Sequence, residues 1–192
     1  MNAPKYILIY FLISLVACTS RSYKDQLISL NLENESGGLE AVWNKKDLAT
    51  AYIFFAPDCP LCINYSLTVR ELEEIYNKKP VQIIVVFPGK SYDINEIKEF
   101  LEIHKIESSV ILDKNYNLVE ILKPTVTPEV VLVNDNGEIA YQGAIDDWVY
   151  GTGLRKQNIS KHYLKDAINS LLNDKDPEND YQLPYGCFIE LL

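Results

Sequence analysis

The apolar run Ala51-Tyr52-Ile53-Phe54-Phe55 leads into Cys59-Pro60-Leu61-Cys62 and then into an amphipathic stretch, and this constrains the fold most. An uninterrupted run of this length is the pattern of a strand buried on both faces. Cys62, Tyr65, Val69, Leu72 and Tyr76 are spaced by three and four, so residues 60–78 are predicted to form a helix with these on one face. Pro80 stops it, and Val81-Gln82-Ile83-Ile84-Val85-Val86-Phe87 reads as a second buried strand. Asp93-Ile94-Asn95-Glu96 has the form of a capping box, with Ile97, Phe100 and Leu101 continuing the helix's apolar stripe. Val110-Ile111-Leu112 is a short strand ending at Asp113, and Asn117 to Leu122 a turn or two of helix. Glu129 to Val133 and Glu138 to Gln142 flank Asn134-Asp135-Asn136-Gly137, whose Asn-Gly supplies the positive φ of a tight hairpin. Ser160 is placed to cap a last helix carrying Tyr163, Leu164, Ala167, Ile168, Leu171 and Leu172 on one side. This order predicts an α/β sandwich: a mixed central sheet with helices on both faces.

The ends of the chain behave differently. Tyr6 to Val16 is an apolar run too short for a permanent membrane span but suited to a secretory signal. Leu15-Val16-Ala17-Cys18, which follows, resembles the lipobox of bacterial lipoproteins; the resemblance implies cleavage before Cys18 and acylation of its thiol. The plainer reading is an ordinary signal peptide or an anchor helix, with Cys18 incidental. Thr19 and Ser20 stand where a retention-type Asp would be, which points toward an outer membrane. The division expected is 1–17 signal peptide, 18–46 anchor, linker and N-terminal strand or strands, 47–173 main domain and 174–192 C-terminal tail. In the second segment, Gly37-Gly38 marks a turn. In the tail, Asp174 to Asp180 is a charged linker, and Leu183 to Leu192 is apolar enough to need a docking place. About 175 residues would remain after cleavage, enough for one domain with a sizeable core. The formal net charge of −9 argues against nucleic acid as a partner and against electrostatic gripping of anionic lipid. Membrane attachment is therefore expected through acyl chains.

A Cys-x-x-Cys at a strand-to-helix junction carries a mechanism. Cys59 falls at or before the first helical turn, where unpaired N–H groups and the positive end of the helix dipole stabilise a thiolate. Cys62 is about one turn deeper on the same face, a separation that suits a disulfide. Cys59 is thus the candidate nucleophile and Cys62 the resolving thiol. Pro60 is well tolerated in the first turn. A static disulfide would close so short a loop that it adds little stability. A zinc site would need further ligands, and neither a second Cys-x-x-Cys nor paired histidines occur. No metal or other cofactor is called for. Asp58 complicates the site, because its charge opposes ionisation of Cys59.

Thr127-Pro128 opens the strand Glu129 to Val133, where an ordinary trans proline is allowed and a cis bond is one way to seat it. Strand, Cys-x-x-Cys, helix, then Thr-Pro before a strand and an Asn-Gly hairpin resembles the thioredoxin superfamily. Phe55 to Cys62 with Asn64-Tyr65, and Ile111-Leu112-Asp113-Lys114, are similar to bacterial extracytoplasmic redoxins of the AhpC/TSA and TlpA-like kind. Gly143-Ala144-Ile145-Asp146-Asp147, Tyr163-Leu164 and Gly186-Cys187-Phe188-Ile189 resemble one redoxin subgroup. The resemblance implies a thioredoxin-like three-layer sandwich and a cis Pro128 facing the redox pair. It also implies that Thr127, with Pro128 and Pro60, meets extended substrate peptides. Two positions depart from thioredoxin itself: Asp58 replaces the usual Trp, and Ile53 the buried Asp that assists proton transfer, so solvent or another carboxylate must serve.

Cys187 is a third redox thiol reaching Cys59 and Cys62, a thiol that pairs with a partner, or an inert buried cysteine. His104 and His162 read as a helix end and an exposed residue, and Asp146-Asp147-Trp148 as a solvated loop or a substrate rim. The function expected is an extracytoplasmic, periplasm-facing thiol–disulfide oxidoreductase. Its expected partners are protein thiols or disulfides and a membrane redox partner. Thiol peroxidases want a hydroxyl residue and a proline where Ala56 and Tyr52 stand, and a copper chaperone of the Sco kind wants a histidine near the Thr-Pro strand.

Overall fold

Two uninterrupted apolar runs fix the centre of the molecule. The computed structural model describes residues 22–191. The chain runs α1 (Tyr23–Ser29), β1 (Asn31–Glu33), β2 (Leu39–Ala41), β3 (Ala49–Phe54), α2 (Pro60–Tyr76), β4 (Val81–Pro88), α3 (Ile94–His104) and β5 (Ser109–Asp113). It continues through α4 (Asn117–Leu122), β6 (Val126–Thr127), β7 (Glu129–Asn134), β8 (Ile139–Gly143), β9 (Val149–Gly151) and β10 (Leu154–Arg155). α5 (Tyr163–Leu172), β11 (Tyr181–Gln182) and β12 (Cys187–Phe188) complete it. The signal segment and Cys18 lie outside the described residues. No helix among the described residues is long and apolar enough to cross a membrane.

The main sheet has the order β11-β8-β7-β3-β4-β5-β1-β2. β3, β4 and β5 are parallel, while β7 lies antiparallel on the other side of β3 and forms the expected hairpin with β8. Gly137 adopts φ 76° in that turn, and Asn134 Oδ1 accepts the N–H of Asn136 and of Glu138. Alternate residues of β3 enter opposite cores, because successive strand side chains point to opposite faces. Ala51 and Ile53 join a core with α2, α3 and α5. Tyr52 and Phe54 join one with Leu27 of α1 and Leu118, Val119 and Leu122 of α4. This is the three-layer, thioredoxin-like α/β sandwich with a mixed sheet.

Three local readings change. The segment expected to hold only short strands opens on α1, where Ser22 accepts the N–H of Asp25 as an N-cap. β1 and β2 then extend the main sheet beside β5. Ser160 does not cap α5: the capping position is His162, which makes no side-chain capping bond. Ser160 instead donates through its N–H and Oγ to Asp147, at 2.8 and 2.5 Å. Asp146 and Asp147 are correspondingly buried, 1% and 5% exposed, and not part of a solvated loop. Asp147 also pairs with Lys156 at 2.5 Å, so it pins the returning chain after the β9–β10 hairpin. Two adjacent aspartates read as surface because the partners that bury them are distant in sequence.

Asp113 carries an analogous duty. Fully buried at the end of β5, it accepts the N–H groups of Leu118 and Val119 at 2.9 Å each and so caps α4 from outside the helix. Removing it would strand two amide donors beside the core. Asp113→Ala should lower unfolding stability by about 1–2 kcal/mol. Urea titration of variant and parent checks this, and an unchanged midpoint would contradict the capping role.

Candidate functional site

The site forms where β3 ends and β7 begins. Phe54 is in register with Glu129, so the loop leaving β3 toward α2 meets the loop entering β7. Cys59 is the N-cap of α2 and Pro60 its first residue. Proline suits that position, since its missing N–H has no intrahelical partner to lose. Cys62 lies about one turn deeper, fully buried, and its sulfur accepts the N–H of Ala56 at 3.4 Å. Cys59 is only 1% exposed. Its sulfur is 3.2 Å from the carbonyl oxygen of Thr127, which accepts from the thiol form. The Thr127–Pro128 peptide is cis.

The two cysteines of the pair are driven apart electrostatically. A hydrogen bond from the Cys62 thiol lowers Cys59 from an ordinary 9.0 to about 5. Burial opposes this, while Cys187 and the backbone N–H groups of Cys62 and Leu61 reinforce it. Those N–H groups are the helix-start donors expected at this junction. Cys62 moves the other way, raised first by burial and then by the hydrogen bond and charge of Cys59. Asp58 is exposed and accepts a hydrogen bond from the Tyr92 hydroxyl. Its charge instead helps hold up Cys187.

Cys187 is brought to the pair. β12 pairs antiparallel with β6, with Cys187 opposite Thr127 and Phe188 opposite Val126. The N–H of Ile189 continues the ladder to the carbonyl of Thr125 at 3.1 Å. Cys187 Sγ then lies 2.7 Å from Cys59 Sγ. No disulfide joins any two of these three sulfurs. Cys187 is itself exposed, so the inert buried reading fails. Its sulfur, turned in against Cys59, is nonetheless partly desolvated; that, and then the hydrogen bond and charge of Cys59, push the thiol up to about 12. The preceding Gly186 makes this approach possible: a Cβ there would fall 2.2 Å from the Thr127 carbonyl oxygen. Upstream, β11 pairs parallel with the edge strand β8. There the carbonyl of Gln182 comes so near Gly143 that a Cβ on Gly143 would be 1.8 Å from it. The apolar tail therefore docks at two places, the edge of the sheet and the redox pair.

Some participants were not foreseen. Glu129, 1% exposed, accepts from the N–H and Oγ of Thr125 and from the N–H of Val126 through Oε2. Its Oε1 accepts from Gln142 at 2.8 Å. It shapes the loop that carries Thr127, and the visible signal was a charged residue opening a run of valines. Ile53 is fully buried in the core that also contains Cys59, so this strand offers the pair no carboxylate. A buried carboxylate on that face is Asp146, which accepts from the Tyr65 hydroxyl at 2.7 Å and is raised above its ordinary value chiefly by burial. His104 ends α3, with Nδ1 3.3 Å from Ser66 Oγ, and His162 is exposed; neither joins the hydrogen bonds around Cys59. Beside Cys187 opens a cleft of about 400 Å³, bordered by Asp58, Tyr92, Tyr116, Thr127 and Phe188.

Three comparisons bear on this arrangement. The sequence model of the redoxin family matches residues 24–148. No curated protein matches the chain in sequence. Among solved structures, a hypothetical protein of Sinorhizobium meliloti superposes with a TM-score of 0.76 at 16% identity, covering 85% of this chain and 91% of its own. An uncharacterized conserved protein of Geobacillus kaustophilus gives 0.73 at 19% identity, covering 84% and 87%. A secreted disulfide oxidoreductase of Mycobacterium tuberculosis, homologous to Escherichia coli DsbE, gives 0.53 at 13% identity, covering 60% and 83%. At these identities the likeness establishes the fold.

The lowered Cys59 has a pH signature. In the reduced protein, thiolate absorbance near 240 nm should rise with a midpoint at about 5, and Cys59→Ser should remove that step. Because the folded value lies below the unfolded one, the group's contribution to stability is complete above about 9. It is lost as pH falls through about 5. A single absorbance step near 9 would contradict the site's electrostatics.

Proposed function

The chain belongs to the redoxin family, and on that premise we propose that it is a thiol–disulfide oxidoreductase acting outside the cytoplasm through Cys59-Pro60-Leu61-Cys62. The observation that carries the reading is the geometry of the pair. Cys59 caps a helix beside the carbonyl of Thr127, with the buried Cys62 hydrogen-bonded to it. In exchange, the Cys59 thiolate attacks one sulfur of a substrate disulfide, and the other sulfur leaves as a thiolate. Cys62 then gives up its proton and attacks Cys59 Sγ. The Cys59–substrate bond breaks, and the departing substrate thiolate takes up the proton. Written in reverse, the same steps oxidise a dithiol.

Thr127, Pro128 and Pro60 border the reacting sulfur and form the surface for an extended substrate segment. The pairing of β12 with β6 supports this use of the Thr127 backbone. Main-chain pairing of that kind holds a peptide largely independently of its side chains. The partners are protein thiols or disulfides, with a membrane redox partner restoring the pair. Attachment through an acylated Cys18, after removal of residues 1–17, places the enzyme in the cell envelope facing the periplasm, at the outer membrane. Its support is the sequence Leu15-Val16-Ala17-Cys18.

The full chain carrying Cys18→Ser, held in detergent and equilibrated across glutathione poises, should form a Cys59–Cys62 disulfide that peptide mass mapping identifies. Exchange with a protein disulfide should fall to the uncatalysed rate in Cys59→Ser, and Cys62→Ser combined with Cys187→Ser should accumulate a mixed disulfide on Cys59. Failure of Cys59 and Cys62 to pair at any poise would sink the reading. In a bacterial host, the unmodified chain should fractionate with membranes and begin at an acylated Cys18. A chain that keeps residues 1–17 contradicts the anchor.

A further inference from the structure

Resting on that reading of Cys59 and Cys62, we propose that the C-terminal strand is a tethered substrate segment and that Cys187 is the thiol through which the buried pair exchanges disulfides with external sulfur. Three independent features support it. The strand is held on Thr127 by a main-chain ladder, which fixes an extended segment without help from its side chains. Gly186 allows the backbone to approach the Thr127 carbonyl closer than any residue with a Cβ could. Accessibility is graded inward: Cys187 is exposed, Cys59 is 1% exposed and Cys62 fully buried. With the tail in place, an external sulfur meets Cys187 first. The cleft beside it, with Phe188 82% exposed at its border, gives that sulfur an approach.

The steps balance without any reagent other than the external thiols of the proposed function. In the oxidised protein the Cys187 thiolate attacks Cys59 Sγ. The Cys59–Cys62 bond breaks as the Cys59–Cys187 bond forms, and Cys62 takes up the proton that Cys187 released. An external thiolate then attacks Cys187 Sγ, and Cys59 departs as a thiolate. A second external thiolate attacks the external sulfur of that mixed disulfide, closing an external disulfide and returning Cys187 as a thiol. Two external thiols are oxidised, and the protein disulfide gains two electrons. One proton reaches the solvent because Cys59 stays ionised. In reverse, an external disulfide is reduced by the same three thiols. The low proton affinity of Cys59 suits it to the leaving role, since weakly basic thiolates depart faster.

The test uses the full chain carrying Cys18→Ser in detergent, with glutathione as the probe. Cys62→Ser, oxidised by glutathione disulfide, should yield a Cys59–Cys187 disulfide by mass mapping. The rate of exchange between the oxidised Cys59–Cys62 form and glutathione should drop about tenfold or more in Cys187→Ser. It should drop similarly in Gly186→Val, which keeps the thiol but pushes the strand off Thr127. If the tail were only a cover, both variants would exchange faster than the parent, and that result overturns the proposal. So does a Cys62→Ser protein that oxidises without linking Cys59 to Cys187. Absence of a Cys59–Cys62 disulfide in the Cys18→Ser chain itself would instead strike the exchange reading. The two failures are therefore distinguishable.

Discussion

The register between β3 and β7 is the constraint from which the site follows. Phe54 sits opposite Glu129, so the loop that carries Cys59 and the loop that carries Thr127 leave the sheet at the same level. A slip of one residue would send every side chain of β3 to the other face. Tyr52 and Phe54 would then compete for the core that Ile53 shares with Cys59 and Cys62. The burial of both faces of β3 therefore holds the chemistry in place as much as it holds the fold. Glu129 uses the same anchor from the opposite side, tying Thr125 and Val126 to the strand that follows them.

Within that frame the three sulfurs are made chemically unequal by position alone. Cys59 has helix-start donors and two neighbouring thiols to stabilise its charge. Cys62, one turn away, has burial and the charge of Cys59 against it. Cys187 faces the same charge from outside, with Asp58 adding to it. Only one of the three thus ionises readily, and it is the one in contact with both others. A nucleophile flanked by two protonated thiols is arranged for transfer in either direction. Which direction dominates follows from the pair's reduction potential set against that of its partners.

Much of this was legible in the chain, for identifiable reasons. Periodicity located β3, β4, α2 and α5, because buried runs and three-four spacing report directly on packing. Asp93 and Glu96 did form the capping box opening α3, and Asn136-Gly137 did close the β7–β8 turn. The Cys-x-x-Cys landed where a strand gives way to a helix. What stayed hidden depends on contacts between distant segments. Asp147 is buried only because Ser160 and Lys156 return to it. The short strand at Cys187 exists only because Thr127 offers a partner. A two-residue strand has no period to detect. Gly186 carries no hint in itself of the carbonyl lying 2.2 Å from where its Cβ would be.

The pairing of β11 with β8 has a kinetic meaning beyond covering a sheet edge. It ties the tail down at Gln182, and Cys187 follows within a segment that, even fully extended, reaches only about 15–20 Å. Pro184 stiffens that segment further. A thiol held on so short a lead has an effective concentration at Cys59 of about millimolar or more, set by the linker and independent of how much protein is present. Free thiols and disulfides in dilute surroundings compete poorly against it. On the proposed route, the anchor at the sheet edge thereby filters which sulfurs can address the buried pair: those that exchange with Cys187, rather than those that must reach Cys59 directly.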